Sequence, residues 1–211
     1  YETVAFRDLG IAIILLTILV RILLYPLFHK TAKHQRLTQQ LQPEIEKIKN
    51  KHKNNRESQT KALLELYKTH KVNPFTPILL LLLQLPVLFA LYFIFVKDPS
   101  IGITTLLYSF VPQPGELAQT FLGLLDLEKR SIPLAVLAAF AQYLQAKISF
   151  VKSSGKAEIN QVMKIMIFAS PAIALVFLFH LPAAVGLYWI TTTIFSIMQQ
   201  IMVNRSVNLA G

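Results

Sequence analysis

The chain has 211 residues, of which 54% are hydrophobic, with a mean hydropathy of +0.49 and a net charge of +10. Apolar residues arranged in long blocks exclude an ordinary soluble domain and point to an integral membrane protein with one helical domain. There is no cysteine, which excludes a disulfide framework and a thiol nucleophile.

No signal peptide with a short apolar core and a cleavage site is visible at Tyr1. The first element is the apolar run from Leu9 to Phe28, broken only by Gly10, Thr17, Arg21 and Pro26. It is long enough to span a bilayer, which takes about 20 residues. Arg21 cannot readily lose its proton, and a charge at that depth costs roughly 2.5–3.5 kcal/mol on insertion scales.

The stretch from Lys30 to Asn73 follows, with eleven Lys/Arg against four Asp/Glu. Leu37, Leu41, Ile45 and Ile48 recur at helical spacing. A second helical stretch from about Glu57 to His70 offers Leu63, Leu64 and Tyr67, with Asn54-Asn55 as the turn between them. The pattern predicts an antiparallel helical hairpin over 30–73. Its basic residues suit anionic headgroups or ribosomal RNA, or serve topology alone.

Four more spans are predicted, at 75–96, 132–151, 163–181 and 182–203, the last two forming a tight turn around His180-Leu181-Pro182. Between the second and third lies a loop over 98–130 with Pro99, Pro112, Pro114 and Gly115 as breakers. Its short apolar stretches, Ile101–Val111 and Phe121–Leu127, suit segments lying at the outer interface. The 97–130 segment holds three basic and four acidic residues, and the third-to-fourth connection carries Lys152, Lys156 and Lys164. The positive-inside rule then puts the 30–73 hairpin and the C-terminus in the cytoplasm and the N-terminus outside.

Polar residues inside the spans are few. Thr17, Arg21 and Tyr25 share a face of the first span. Gln84 stands in a leucine run of the second, Gln142, Gln145 and Ser149 lie in the third, and Ser170 in the fourth. Tyr188, Thr192, Ser196 and Gln199 follow a helical spacing in the fifth. With the orientation above, these stripes fall in the cytoplasmic half or near the middle. That asymmetry predicts a hydrated groove open to the cytoplasm and sealed outside. Taken singly, each Gln, Ser or Thr also fits interhelical hydrogen bonding. Arg21 is different, because no acidic residue lies in any of the five spans.

The sequence resembles the YidC family of membrane protein insertases, in the short form without the large outer domain. The resemblance rests on TILVRILLYPL around Arg21, LQPEIEKIK at 41–49, YKTHKVNPF at 67–75 and Gln84-Leu85-Pro86. It continues through FLGLLDL at 121–127, IPLAVLAAFAQYLQ at 132–145 and PAAVGLYWITTTIFSIMQQ at 182–200. It implies an all-α polytopic fold of five transmembrane helices with a cytoplasmic hairpin between the first and second, in a bacterial inner membrane. The implied substrates are nascent membrane proteins, received from the cytoplasm and released laterally into the lipid bilayer, alone or with the Sec translocon.

By the resemblance, Arg21 attracts acidic residues of a translocated tail, and positions near Phe140, Tyr188 and Trp189 form the slide for an arriving helix. Only Arg205 is charged after Val203, which speaks against ribosome docking through a basic tail. No enzyme, cofactor, metal or small-molecule substrate is expected, since there is no HExxH or GxSxG and the histidines are scattered. The alternative reading is a small anion-binding transporter or channel, with Arg21 as the anion site.

Overall fold

The computed structural model describes residues 8–73, 82, 84–90, 93, 119–149 and 161–208, and it is mostly helical. Most of the expected 75–96 span, the loop over 98–118 with its Ile101–Val111 stretch, and the connection carrying Lys152 and Lys156 lie outside the described residues.

The segment expected as the first span is not one straight helix. Helix α1 (Leu9–Leu23) ends, and α2 (Tyr25–Gln40) leaves it at 70°. The cause is Leu24-Tyr25-Pro26: Pro26 has no N–H to give to the turn before it, and its fixed φ suits the first turn of a new helix. The same device recurs at Leu41-Gln42-Pro43, where α2 gives way to α3 (Gln42–Lys51). The Leu37-Leu41-Ile45-Ile48 periodicity therefore runs across two helices, with Leu41 at their junction.

Asn55 caps α4 (Arg56–Thr69), its side chain accepting from the Ser58 N–H at 3.0 Å. α3 and α4 close on a small core of Leu41, Ile45 and Val72, flanked by Leu37, Leu63, Leu66 and Tyr67. Gln59 adds a bond to the Lys49 carbonyl at 3.1 Å.

The 119–130 segment holds a β-hairpin that the apolar run Phe121–Leu127 did not announce. Strand β1 (Thr120–Phe121) pairs antiparallel with β2 (Leu125–Asp126), Phe121 opposite Leu125. The Leu124 N–H donates to the Phe121 carbonyl at 3.0 Å, and Leu122 and Gly123 have φ of 52° and 68°. Two successive left-handed residues match the right-handed twist of a tight hairpin. Lys129 Nζ meets Asp126 Oδ2 at 2.8 Å. That hydrogen bond holds the Asp126 carboxyl below, and the Lys129 ammonium above, their ordinary values.

Three further helices follow: α5 (Ile132–Ser149), α6 (Gln161–Phe179) and α7 (Ala183–Asn208). α5 packs against α6 and α7, and α7 also packs against α1 and α2. The hairpin closes the α7 N-terminus. The orphan N–H groups of Ala183 and Ala184 donate to the carbonyls of Lys129 (2.8 Å) and Leu127 (3.0 Å).

Side-chain size sorts in an inverted way on α5. Ala135, Ala138, Ala139, Ala141 and Ala146 face inward, while Ile132, Val136, Leu137, Phe140 and Leu144 are exposed. Small residues inside and large apolar ones outside is how helices associate in lipid, where close backbone approach replaces hydrophobic burial. α1 exposes Leu16, Leu19, Ile22 and Leu23, and α6 exposes Phe168, Ile173 and Val176. Among the described residues, α5 alone is a single helix long and apolar enough to cross a bilayer, and the bent pair α1 and α2 passes the same test together.

Candidate functional site

Arg21 lies in the last turn of α1, just before the break, with only 7% of its surface exposed. Its Nε donates to Thr192 Oγ1 of α7 at 2.6 Å, and its Cζ sits 4.3 Å from the centroid of the Phe28 ring. The bend at Leu24 turns Phe28 back over the guanidinium, a cation–π contact strengthened by burial. An arginine has five N–H donors. One is taken by Thr192; the other four have no hydrogen-bond partner, and no carboxylate pairs with the charge, among the described residues.

The guanidinium borders a recess of about 70 Å³, room for several water molecules. Thr17, Gln84, Tyr188 and Thr192 share its wall with apolar Ile13, Leu16, Val20 and Val87. The Thr17 hydroxyl donates to the Ile13 carbonyl at 2.6 Å, so it faces the recess as an acceptor. Gln84 donates to the Tyr188 hydroxyl.

The other polar residues singled out in the sequence do not join this recess. Gln142, Gln145, Ser149 and Ser170 line a separate one of about 320 Å³ between α5 and α6, together with Gln35 of α2. Gln35 carried no signal in the sequence; it gets there because α2 turns away at Leu24. Ser196 donates to the Thr192 carbonyl within its own helix at 2.8 Å. Gln199 Nε2 donates to the Tyr25 carbonyl at 3.4 Å, tying α7 to the start of α2.

Phe140, Tyr188 and Trp189 do not form one outer surface. Phe140 is exposed, but Tyr188 is buried in a core with Ile13, Leu127, Ala184 and Leu187. Trp189 is half-buried: its Nε1 donates to Gln142 Oε1 at 3.2 Å, and its ring lies 6.2 Å from that of Phe177.

Among the described residues no cluster of His, Asp and Glu could hold a metal ion. The arrangement offers one fixed, desolvated cation with unused donors in a mainly apolar wall. It can attract and hold an anionic or hydrogen-bond-accepting group.

The model of the 60Kd inner membrane protein family matches residues 2–210. The chain is 30% identical over 203 residues to the membrane protein insertase YidC of Geobacter sulfurreducens, covering 95% of this chain and 34% of that protein. It is 33% identical over 198 residues to the protein of that name from Fusobacterium nucleatum, covering 94% of this chain and 87% of the relative. For the Treponema denticola protein the identity is 31% over 213 residues, with 93% and 34% covered. The chain thus spans about a third of the Geobacter and Treponema relatives.

Proposed function

The chain belongs to the 60Kd inner membrane protein family, to which the YidC insertases belong, and on that premise we propose that it inserts nascent membrane proteins into a bacterial inner membrane. The observation that carries the reading is Arg21, a buried cation with four donors left over and no acidic partner among the described residues. A charge that is expensive at this depth and unpaired is fitted to a visiting group.

In this account five helices span the membrane, with the N-terminus outside and the α3–α4 hairpin and C-terminus in the cytoplasm. The Arg21 recess and the amide-rich recess of Gln142 and Gln145 belong to a groove open to the cytoplasmic leaflet. A client arrives with a short polar flank. The flank enters the groove, drawn by Arg21, and this shortens the hydrocarbon it must still cross. Its apolar segment leaves sideways past the exposed Phe140 into lipid. Partition of about 20 apolar residues drives the step without a nucleotide. No covalent bond is made or broken. The clients are handled by this chain alone or beside the Sec translocon.

The test is insertion of a small single-span protein with an acidic N-terminal tail into liposomes containing only this protein, scored by protease protection. Protection above that of empty liposomes is expected. No protection, combined with anion flux through the same vesicles, would replace the insertase by a transporter.

A further inference from the structure

The β-hairpin of residues 120–126 is held rigidly but ends in an exposed apolar tip. Three contacts hold it, two at the turn and one at the base. Phe121 lies against Gly10 of α1, Asp8 accepts the Leu122 N–H at 2.5 Å while also capping α1, and Leu127 is fully buried beneath α7. Leu122 and Leu124 point the other way, 60% and 90% exposed.

Leu122 is the unusual one. At a φ of 52° it occupies the left-handed region, which disfavours a leucine and suits Gly or Asn. Packing among the described residues does not account for a leucine there, since most of its surface is exposed. Strain retained at such a position points to a contact outside the chain.

The hairpin is also polar and apolar at opposite ends. Behind the tip come Asp126, Glu128, Lys129 and Arg130, with Lys129 paired to Asp126. The unit is attached to the first turn of α1 through Asp8 and Gly10 and to the first turn of α7 through Leu127 and Lys129, at the N-terminal ends of these helices. Two leucines are far too little surface for a specific protein–protein interface. They suit partition into the boundary of a bilayer, with the charged base at headgroup level.

We propose that the 120–126 hairpin is a membrane-interface anchor: Leu122 and Leu124 enter the outer leaflet below its headgroups and so fix the depth of α1 and α7. This rests on the reading that the helices span the bilayer, and not on what the protein inserts.

The sequence has no cysteine, so single-cysteine variants Leu124→Cys, Lys129→Cys and Ile173→Cys each carry one fluorescent label in the full chain. The chain is reconstituted in phosphatidylcholine–phosphatidylglycerol vesicles. Quenching is measured with aqueous iodide and with a lipid bearing a nitroxide just below the headgroup. The label at Leu124 is expected to be at least about fivefold less open to iodide than that at Lys129, and to be quenched by the lipid nitroxide. Ile173, exposed on α6, reports the spanning reading separately. If the Ile173 label is lipid-quenched and the Leu124 label is as open to iodide as Lys129, the anchor is wrong while the spans stand. Iodide shielding of Leu124 without lipid quenching would assign the tip to a protein contact and overturn the proposal. If the Ile173 label too is untouched by lipid, the spanning reading falls, and the anchor with it.

Discussion

Replacing Arg21 by alanine is expected to lower the initial rate of insertion of an acidic-tailed, single-span client about tenfold, equivalent to about 1.4 kcal/mol. The substitution removes the one cation that lines the recess among the described residues and leaves Thr192 Oγ1 without the Arg21 donor. Hydrogen bonds to charged groups are worth about 1.5–3 kcal/mol, so the loss is about the size of one weak contact with a client carboxylate. Arg21→Lys separates charge from shape. Lysine keeps the positive charge but loses the planar fork that holds Thr192 with one edge and offers the remaining donors to the recess. An intermediate rate is expected for it. Clients whose flanks carry no acidic residue should be much less affected by either change. If Arg21→Ala inserts acidic-tailed clients at the wild-type rate, the charge has no part in capture.

Gly10→Ala is expected to destabilise the protein by about 1–3 kcal/mol, seen as a lower melting temperature in detergent. A Cβ at Gly10 would stand 2.3 Å from Phe121 Cδ2 and 2.6 Å from Phe121 Cβ. The second distance matters more than the first. A ring can rotate away, but the Phe121 Cβ moves only with the β1 backbone, and that backbone is tied to α1 through Asp8 and to α7 through Leu127. Truncating the ring in Gly10→Ala/Phe121→Ala should therefore recover only part of the loss. Full recovery would mean that the ring alone makes the contact tight, and an unchanged melting temperature in Gly10→Ala would mean the hairpin is not seated on α1 at all.

Arg21 stands out in the sequence for an energetic reason. An arginine in a hydrocarbon run is costly enough that its presence demands an explanation, whereas a lone glutamine does not. Helical spacing put Thr17 on the face of Arg21, and Tyr188 and Thr192 together on one face of the last helix; all three line the same recess. Spacing along a helix says nothing of which neighbouring helix a side chain meets, so the division of Gln142, Gln145, Ser149 and Ser170 into a second recess was not legible. The break at Leu24 was signalled by Pro26, but the size of the turn was not, and with it went the positions of Phe28 and Gln35. The β-hairpin was hidden because its strands are two residues each, too short for alternation to register, and its turn uses a leucine where a glycine or asparagine would have marked it.

In the proposed route a client's polar flank meets the Arg21 recess. Leu16 borders that recess and is exposed, and the chain's lack of cysteine lets Leu16→Cys report alone. The measurement is crosslinking of this cysteine to a single cysteine in the acidic flank of a client arrested during insertion, with Ile173→Cys on α6 as the comparison. A crosslink from Leu16 that is strong, precedes protease protection of the flank and fades in Arg21→Ala is the predicted result. Equal crosslinking from Leu16 and Ile173, or none from Leu16 while the client still inserts, would contradict passage through the recess.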